Sequence, residues 1–281
     1  MNAIGIELLD QERAEQLDGN SRLGQILALV RHAGFQSIDK LALEFGVTTQ
    51  TIRRDVNRLC ERGLCRRMHG GIAPLPLAGN VDYPFRQRLH LDAKRRIARC
   101  VAEFVPDQSS LFVGIGTTPE QCAHALTHKK HLRVMTNNLH AALALTRNPT
   151  CDLTIAGGRL RNLDHDVIAG EAHGFFSRFS VDIGIYGVGG VTEDGCLLDF
   201  NPDEVAMRRE LAKHCRRRFI VLDHSKFGRA ATVKGGHLSE AHAVFTDRPL
   251  PPAIQAQLDD AEVRVVVADA IVLSPSLTSH S

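Results

Sequence analysis

From residue 48 to residue 71 the chain reads Thr-Thr-Gln-Thr-Ile-Arg-Arg-Asp-Val-Asn-Arg-Leu-Cys-Glu-Arg-Gly-Leu-Cys-Arg-Arg-Met-His-Gly-Gly, and this stretch decides the fold of the amino-terminal region. Its first half is predicted to be a helix, because Ile52, Val56 and Leu59 recur on one face of a 3.6-residue period. Either of the two threonines at its start can cap it, since a hydroxyl accepts a hydrogen bond from the first-turn N–H groups. The stretch therefore begins with an amphipathic helix whose apolar face packs on a core.

The opposite face of this helix and the segment after it are basic. Arginine, glutamine and asparagine pair with base edges in the major groove. The polar residues that we predict in or beside that groove are Thr48, Gln50, Thr51, Arg53, Arg54, Asn57 and Arg58. Beyond Gly63, a strand with Arg66 and Arg67, then His69 and a Gly70-Gly71 turn, predict a hairpin that meets phosphates or the minor groove. Six arginines against two acids give this stretch a net charge of +4, whereas the whole chain is only +2.

Two shorter helices are predicted upstream. Residues 21–31 carry apolar side chains at i, i+3, i+4 and i+7, and Gly34 ends that helix. Ser37 can cap a second helix over residues 38–45, and Gly46 makes the turn into the basic helix. The residues of the second helix available for burial are Leu41, Leu43 and Phe45. A basic helix alone is equally compatible with a solvated surface, but this order of elements predicts a winged helix-turn-helix.

After residue 110 short apolar runs alternate with stretches of helical length. The runs span residues 111–115, 132–135, 153–156, 181–186, 219–222, 243–245 and 263–267. This alternation is typical of βαβ units, so the sequence predicts an α/β domain with a mostly parallel sheet. In such sheets ligands bind at the carboxyl ends of the strands.

Those strand ends are rich in groups that hold anions. Thr118 can cap a helix beginning at Pro119, which leaves N–H groups for an anion, while Arg161 and Lys226 suit a phosphate. The predicted effector-binding residues are Gly116, Thr117, Thr118, Asn137, Asn138, Gly158, Arg161, Gly189, Asp223 and Lys226. Any one glycine-rich turn is usually only a turn, and Lys226 alone could be a surface charge. Five such ends in one sheet favour a shared pocket.

The remaining segments complete a two-domain organisation. Residues 74–90 hold three prolines and are predicted to link a DNA-binding domain (21–73) to an effector domain (91–268) that opens on a helix capped by Asp92. Residues 1–20, with five acids and one arginine, read as an extension without the order of a signal peptide. Residues 269–281 read as a tail.

Composition excludes several classes of protein. No apolar run in the 281 residues approaches the length of a membrane span. The seven cysteines are scattered and odd in number, which is typical of thiols in a reducing cytoplasm. We therefore expect a cytoplasmic globular protein, without a cofactor and without membrane contact.

The amino-terminal motifs resemble those of a known family. Ser37-x-x-x-Leu41-Ala42-x-x-Phe45-Gly46-Val47-Thr48-x-x-Thr51-Ile52-Arg53-Arg54-Asp55, followed by Arg66-Arg67-Met68-His69-Gly70-Gly71, is similar to the signature of the DeoR-type bacterial repressors. The combination of the two motifs is specific, whereas each alone is weak. The resemblance implies a winged helix-turn-helix that binds double-stranded operator DNA.

The resemblance continues to about residue 250. The phrases that carry it are Gly116-Thr117-Thr118, Thr136-Asn137-Asn138, Ala156-Gly157-Gly158-x-Leu160-Arg161 and Asp223-His224-Ser225-Lys226-Phe227-Gly228-Arg229. They resemble the effector domain of the family, which is related in fold to sugar-phosphate isomerases and senses phosphorylated metabolites. The closest likeness is to members that respond to glycerol 3-phosphate. The chain departs from the family at Gly114, where an aspartate is usual, and at Arg159, where an acid is expected, and both departures bear on effector identity.

Several readings stay open at this point. The leading one is a homo-oligomeric repressor, dimer or tetramer, that leaves its operator when a phosphorylated small molecule binds. A regulator of the same family for another phosphosugar differs only in the pocket. An isomerase-like enzyme that carries a DNA-binding domain would use Asp223 and Lys226 as acid and base, but few other carboxylates sit at the predicted strand ends. We therefore expect a regulator and not an enzyme.

Two further groups of residues suggest no function. Asp164, His165, Asp166, Glu171 and His173 form the densest metal-ligand cluster, but it lacks the His-Glu-x-x-His spacing of a zinc helix, so we expect no metal. A second basic run is predicted to be a solvated helix face after an Asn-Pro start, and a role at a subunit interface stays open. Its residues are Arg208, Arg209, Lys213, Arg216, Arg217 and Arg218.

Overall fold

The computed structural model describes residues 21–74, 82–168 and 174–268. The first of these ranges holds three helices and a small antiparallel sheet with the strand order β1-β3-β2. In chain order its elements are α1 (Arg22–Ala33), β1 (Gln36–Ser37), α2 (Ile38–Glu44), α3 (Thr49–Glu61), β2 (Cys65–Met68) and β3 (Gly71–Pro74). The predicted winged helix-turn-helix is confirmed.

Local side-chain chemistry starts each of these helices where the sequence predicts. The hydroxyl oxygens of Ser21, Ser37 and Thr48 each accept a hydrogen bond from the backbone N–H three residues on, at 3.2 Å. Gly63, with φ +68°, follows α3 in the left-handed conformation that ends helices. The prediction that Leu43 is buried is wrong, because its side chain is 86% exposed. In a helix of two turns the core-facing positions are taken by its i, i+3 and i+4 residues, and Leu43 points the other way.

The rest of the described chain forms a seven-stranded parallel sheet covered by helices. The helices are α4 (Tyr83–Arg88), α5 (Leu91–Glu103), α6 (Thr117–Ala125), α7 (Leu139–Leu145), α8 (Pro202–Lys213) and α9 (Pro252–Asp260). The strands of this sheet are β4 (Ser110–Val113), β5 (Arg133–Thr136), β6 (Asp152–Ile155), β9 (Val181–Tyr186), β12 (Cys215–Val221), β14 (Ala243–Thr246) and β15 (Arg264–Val267). They lie in the order β15-β14-β12-β9-β4-β5-β6. Each strand coincides with one of the seven predicted runs, so the predicted parallel α/β architecture is confirmed.

Strand alternation builds two hydrophobic layers. On β4, Leu111 and Val113 join the layer beneath α5, α6 and α7, whereas Phe112 joins the layer beneath α8 and α9. Successive strand residues point to opposite faces, so one short strand serves both layers. The helices therefore cover both faces, and the carboxyl ends of the strands meet at one edge.

Smaller strands close over that edge. They are β7 (Leu160–Arg161) with β8 (Asp166–Val167), and β10 (Gly190–Val191), β11 (Cys196–Asp199) and β13 (Val233–His237) in the order β10-β11-β13. They bring Arg161, Asp166 and Asp199 to the strand ends. Within the described ranges, no helix is long and apolar enough to cross a bilayer.

Part of the predicted linker is helical, which corrects the sequence interpretation. Residues 75–81 lie outside the described residues, as do the predicted extension (1–20) and tail (269–281). Tyr83–Arg88 form α4, and Tyr83 and Phe85 are buried. Pro84 is tolerated there because the first-turn N–H of a helix has no acceptor within the helix. The next helix starts after His90, with φ +52°, and not at Asp92, which sits in its first turn.

Candidate nucleic-acid interface and anion pocket

The outer face of α3 gathers most of the predicted DNA-binding side chains. Those exposed on it are Thr48, Gln50, Arg53, Arg54, Asn57 and Arg58. Thr51 is half-buried, and its Oγ1 lies 2.9 Å from Oγ1 of Thr48. Asp55 is instead only 3% exposed and accepts a hydrogen bond from Nε of Arg22 at 2.6 Å. The carboxylate within the arginine run thus ties α3 to α1, and the outward face of the first turns is left basic.

The hairpin β2–β3 lies beside this face. Arg67 donates a hydrogen bond to Oδ1 of Asn57, which fixes the wing against the helix. His69 is exposed in the turn, next to Gly70 with φ +73°. Arg66 is half-buried, and among the described residues its buried Nε has no hydrogen-bond partner. The arrangement gives a continuous basic surface of one helix and one wing.

A cleft of about 540 Å³, open to solvent, lies at the carboxyl ends of the parallel strands. The predicted effector residues on its wall are Gly116, Thr117, Thr118, Arg161, Gly189 and Lys226. Helix α6 starts at Thr117, two residues before the predicted start at Pro119, and Gly116 at φ +107° takes the cap position in place of Thr118. Among the described residues no side chain caps this helix, so its first N–H groups remain for an anion.

Four other predicted residues do not lie on the wall of this cleft. Asn138 caps α7 through Oδ1 and donates from Nδ2 to the carbonyls of Gly114 and Gly116, at 3.2 and 3.1 Å. Asn137 donates to the carbonyl of Val167 at 2.9 Å and lines a smaller adjoining cavity. Gly158 lies in an exposed loop, and Asp223 is 1% exposed beneath the wall. The two asparagines therefore shape the loops that form the cleft.

A cluster of cations borders the cleft. Arg86, Lys226 and Arg229 are on its wall, and Lys94, only 3% exposed, lies beneath and donates to the carbonyl of Arg86. Burial lowers the pKa of Lys94 to about 8, although Asp223 opposes the shift. Burial and then the neighbouring Arg229 lower the pKa of Lys226 well below its usual value. These four cations face two carboxylates, those of Asp223 and Asp164, and a bound anion would offset more of their mutual repulsion.

Carboxylates form the other part of the wall. They are Asp164, Asp166, Asp199 and Glu204. Nε and Nη2 of Arg161 bind the two oxygens of Asp166 at 2.6 and 2.7 Å, and its Nη1 binds Glu204 at 2.7 Å. Burial raises the pKa values of Asp166 and Glu204, against the pull of Arg161. Arg161 is thus engaged by carboxylates, and because each carboxylate oxygen has more than one lone pair, these acids can still accept hydrogen bonds from ligand hydroxyls.

The sequence interpretation missed several wall residues for identifiable reasons. Arg86 lies in the segment taken as linker, and Arg229 was quoted for the family resemblance without a role. Glu204 was not predicted at the site, and its carboxylate joins that of Asp166 only because β7 carries Arg161 to both. The acids of the wall come from separate segments, so chain spacing gave no signal.

The second basic run is a solvated helix face only at Arg209 and Lys213, which are exposed on α8. Arg208 is 9% exposed and binds Asp199 through Nε and Nη2 at 3.1 and 2.8 Å, while its Nη1 donates to the carbonyl of Gly235 at 2.7 Å. Arg216 and Arg217 are exposed, but they lie in β12. The helical prediction fails because the run spans the end of α8, and its first arginine compensates a buried carboxylate.

The three described residues of the candidate metal cluster make other contacts. Asp164 pairs with Arg86, and Nδ1 of His165 lies 2.8 Å from Nε2 of His140. Glu171 and His173 lie outside the described residues. In the described part of the chain no three His, Cys, Asp or Glu side chains are placed to hold a metal ion.

Comparison with known proteins identifies both regions. Residues 22–75 match the DeoR-like helix-turn-helix domain, and residues 89–248 match the DeoR C-terminal sensor domain. The chain is 41% identical over 240 residues to the glycerol-3-phosphate regulon repressor of Escherichia coli, covering 85% of this chain and 95% of that protein. It is 35% identical over 252 residues to the transcriptional repressor CsqR of the same organism, covering 90% and 97%.

A solved structure with a similar fold is ribose 5-phosphate isomerase A from Methanocaldococcus jannaschii. The two chains are 14% identical with a TM-score of 0.36, over 49% of this chain and 54% of the isomerase. At this level the likeness supports no conclusion about the fold or the chemistry of this chain.

Proposed function

This chain belongs to the DeoR family of helix-turn-helix transcriptional regulators, and we propose that it is a cytoplasmic repressor of genes for glycerol 3-phosphate metabolism. In this proposal the winged region binds operator DNA, and glycerol 3-phosphate binds the cleft and releases the operator. Release requires that the ligand bind one arrangement of the protein more tightly than the other; couplings of about 1–3 kcal/mol are typical.

The basic surface of α3 and the wing supports the DNA-binding role. Arg53, Arg54 and Arg58 are exposed beside Gln50 and Asn57, which is the set of donors that reads guanine and adenine in the major groove. Arg67 and His69 on the wing would contact phosphates. One recognition helix reads only a few base pairs, so we propose that a dimer or tetramer binds repeated half-sites.

The two-part wall of the cleft is the observation that carries the effector assignment. The cations Arg86, Lys226 and Arg229, together with the amino terminus of α6, suit a phosphate group. The carboxylates around Arg161 suit hydroxyl groups, because ionised acids accept O–H hydrogen bonds. A small ligand with a phosphate at one end and hydroxyls at the other matches both parts. Glycerol 3-phosphate is such a ligand, and a relative at 41% identity is named for it.

A regulator for another phosphosugar is the second candidate. CsqR covers the chain as fully as the glycerol-3-phosphate repressor does, at 35% identity. The two-part wall also suits other phosphorylated polyols, so the choice between them is a matter of affinity. Catalysis by Asp223 and Lys226 is disfavoured, since Asp223 lies beneath the wall, where a substrate proton is out of its reach.

Isothermal titration of the purified protein tests the effector assignment. We expect saturable binding of glycerol 3-phosphate and none of glycerol, with weaker binding of inorganic phosphate. A panel of phosphorylated sugars in the same instrument ranks the competing ligands. Tighter binding of another phosphosugar would replace glycerol 3-phosphate as the effector, and binding of none would refute a phosphate-ester sensor.

Fluorescence anisotropy with a labelled operator tests the regulatory role. The operator is obtained by selecting the genomic fragments that the protein retains. We expect the ligand that binds in titration to release this DNA. A ligand that binds tightly but leaves operator affinity unchanged would contradict its role as inducer.

A further inference from the structure

Helix α4 lies outside both segments that match the family domains, which end at residue 75 and begin at residue 89. Its Arg86 is nevertheless on the wall of the effector cleft. The helix that follows the connection between the two regions therefore supplies a cation to the site.

Helix α4 is held firmly against the sheet domain. Oη of Tyr83 donates to Oε2 of Glu120 at 2.9 Å, and Nε2 of Gln87 donates to Oε1 of the same residue at 2.9 Å. The Tyr83 ring stacks on His140 with centroids 4.6 Å apart. Glu120 lies in the first turn of α6, whose amino terminus faces the cleft. One carboxylate thus joins α4 to the predicted phosphate-binding helix.

Arg86 is held in the cleft by an acid that a phosphate would displace. Its guanidinium pairs with Asp164, which is itself on the wall and lies 3.5 Å from Nη1 of Arg161. Its carbonyl accepts from the buried ammonium of Lys94. A phosphate and Asp164 are both charge-assisted acceptors for the same fork of donors, so they compete for Arg86.

The carboxyl end of α4 contacts the DNA-binding region. A methyl group placed on Gly63 would lie 2.6 Å from Cδ1 of Leu89 and 3.3 Å from Nε2 of His90. Gly63 is in the turn that ends α3, the proposed recognition helix. The ring of His90 also meets that of His224, at 4.6 Å between centroids, in the short helix that carries Lys226. At about 1.5 Å per residue, a helix carries the chain only about 5 Å between Arg86 and Leu89.

We propose that Arg86 is an effector-binding residue, and that its transfer from Asp164 to the ligand phosphate moves α4 and alters the contact of Leu89 and His90 with the end of the recognition helix. This inference rests on the proposed function and adds its route of regulation. The sensor site is then incomplete without α4. The same short helix also transmits the binding of ligand in the cleft to the DNA-binding surface.

Titration with glycerol 3-phosphate tests the binding role. Replacing Arg86 with glutamine should weaken binding by about tenfold to a hundredfold, the value of a hydrogen bond to a charged group. R86K should recover part of the loss, because it restores the charge without the fork. The matched control is R95Q, which removes an exposed arginine at the start of the next helix and should bind as the wild type does.

Replacing Asp164 with asparagine gives a change of the opposite sign, which a folding defect cannot imitate. Inorganic phosphate is the probe, since it has no carbon-bound hydroxyls that Asp164 could accept. D164N should bind it more tightly than the wild type does, because the competing carboxylate is gone. Unchanged or weaker binding in D164N would overturn the exchange of Arg86 between the two acceptors.

Replacing Leu89 with alanine tests the transmission. The measurement is the ratio of operator dissociation constants with and without saturating glycerol 3-phosphate. L89A should bind the ligand normally, since Leu89 is not on the wall, but its ratio should move toward one by at least about threefold. If this ratio of dissociation constants is the same in L89A as in the wild type, the proposed transmission through Leu89 is refuted.

The outcomes separate the two levels of the argument. Absence of glycerol 3-phosphate binding to the wild-type protein would overturn the proposed function, and this inference with it. Wild-type affinity retained in R86Q would overturn the inference alone and leave the sensor assignment intact.

Discussion

The two charged regions of this protein handle their cations in opposite ways. On α3 the guanidinium groups of Arg53, Arg54 and Arg58 are exposed to solvent. In the cleft Lys94 is buried, and the pKa values of Lys94 and Lys226 are lowered by burial. The arginines of the DNA-binding surface lose their hydration only when DNA binds, and much of the binding affinity comes from released counterions. At the cleft, folding itself removes water from the cations, so these charges are positioned before the ligand enters.

The largest effect that separates the two regions is on stability. Arg208→Met leaves Asp199 buried without its cation, and breaking such a pair lowers the free energy of unfolding by about 3–5 kcal/mol. Arg53→Met removes an exposed charge and should change that free energy by less than about 0.5 kcal/mol. Urea unfolding followed by circular dichroism measures both. Equal free energies of unfolding of the two variants would contradict the proposed difference between buried and exposed arginines.

The next largest effect is on which ligand, operator DNA or glycerol 3-phosphate, each single variant fails to bind. Arg54→Ala should lower operator affinity by about 1–3 kcal/mol, the worth of a base contact, and should leave glycerol 3-phosphate binding unchanged. Lys226→Ala should do the reverse, because its ammonium is on the cleft wall. Anisotropy and titration on the same preparations measure the two affinities, with Arg62→Ala at the far end of α3 as the control. Loss of both activities in either single variant would refute the division of labour.

The pH dependence should also differ between the regions. The pKa of Lys94 is lowered to about 8, and a bound phosphate raises it again, so binding above that pH requires proton uptake. Ligand affinity should therefore fall, by up to about tenfold per pH unit, as the pH rises above about 8. Arginine keeps its proton throughout this range, so operator affinity should stay level.

Titration in buffers of different ionisation enthalpy counts the protons taken up. The variant Lys94→Met should lose the part of the dependence that centres near pH 8. Ligand affinity that stays flat to pH 9.5 in the wild-type protein would show that Lys94 is not linked to the site.

The smallest effect is expected at Arg159. Its side chain is exposed and is not on the wall of the cleft. Solvent and salt screen an exposed charge over about 10 Å at 0.1 M ionic strength. Arg159→Glu should therefore change glycerol 3-phosphate affinity by less than about twofold, with Lys226→Ala as the positive control. A change larger than fivefold would place the 157–161 loop over the ligand.

Gly114 has a clearer structural setting than Arg159. A Cβ atom there would lie 3.2 Å from Cβ of Tyr186 and 3.5 Å from Cδ1 of Leu211. The residue also lines the smaller cavity that adjoins the cleft. Its lack of a side chain therefore affects the space beneath the ligand site, and the carbonyl of Gly114 still accepts from Asn138.

Local chemistry explains which predictions succeeded. The caps at Ser37 and Thr48 depend on atoms three residues apart, so the sequence contains both partners. The seven strands were recognised because an apolar run bounded by turn residues is itself a local pattern. The same reasoning failed for α4, where proline density suggested a linker although Pro84 sits in the first turn of a helix.

The effector cleft was predictable only in part for a related reason. Gly116, Thr117 and Lys226 follow strands directly, and parallel strands bring their ends together. Other wall residues come from elements that reach the cleft by long-range packing, and their spacing in the chain does not predict this. They are Arg86, Asp199 and Glu204.

The sequence by itself determined the two charge patterns, the basic helix and its wing, and the parallel sheet with threonine, glycine and lysine residues at its strand ends. These follow from periodicity and from contacts between near neighbours. Only the tertiary structure decided how each charge is used: that Asp55 and Arg208 turn inward, that Arg161 is engaged by Asp166 and Glu204, and that Arg86 enters the cleft. Burial determines those roles, because an unpaired charge is costly away from water and is therefore paired with whichever opposite charge the fold brings near it.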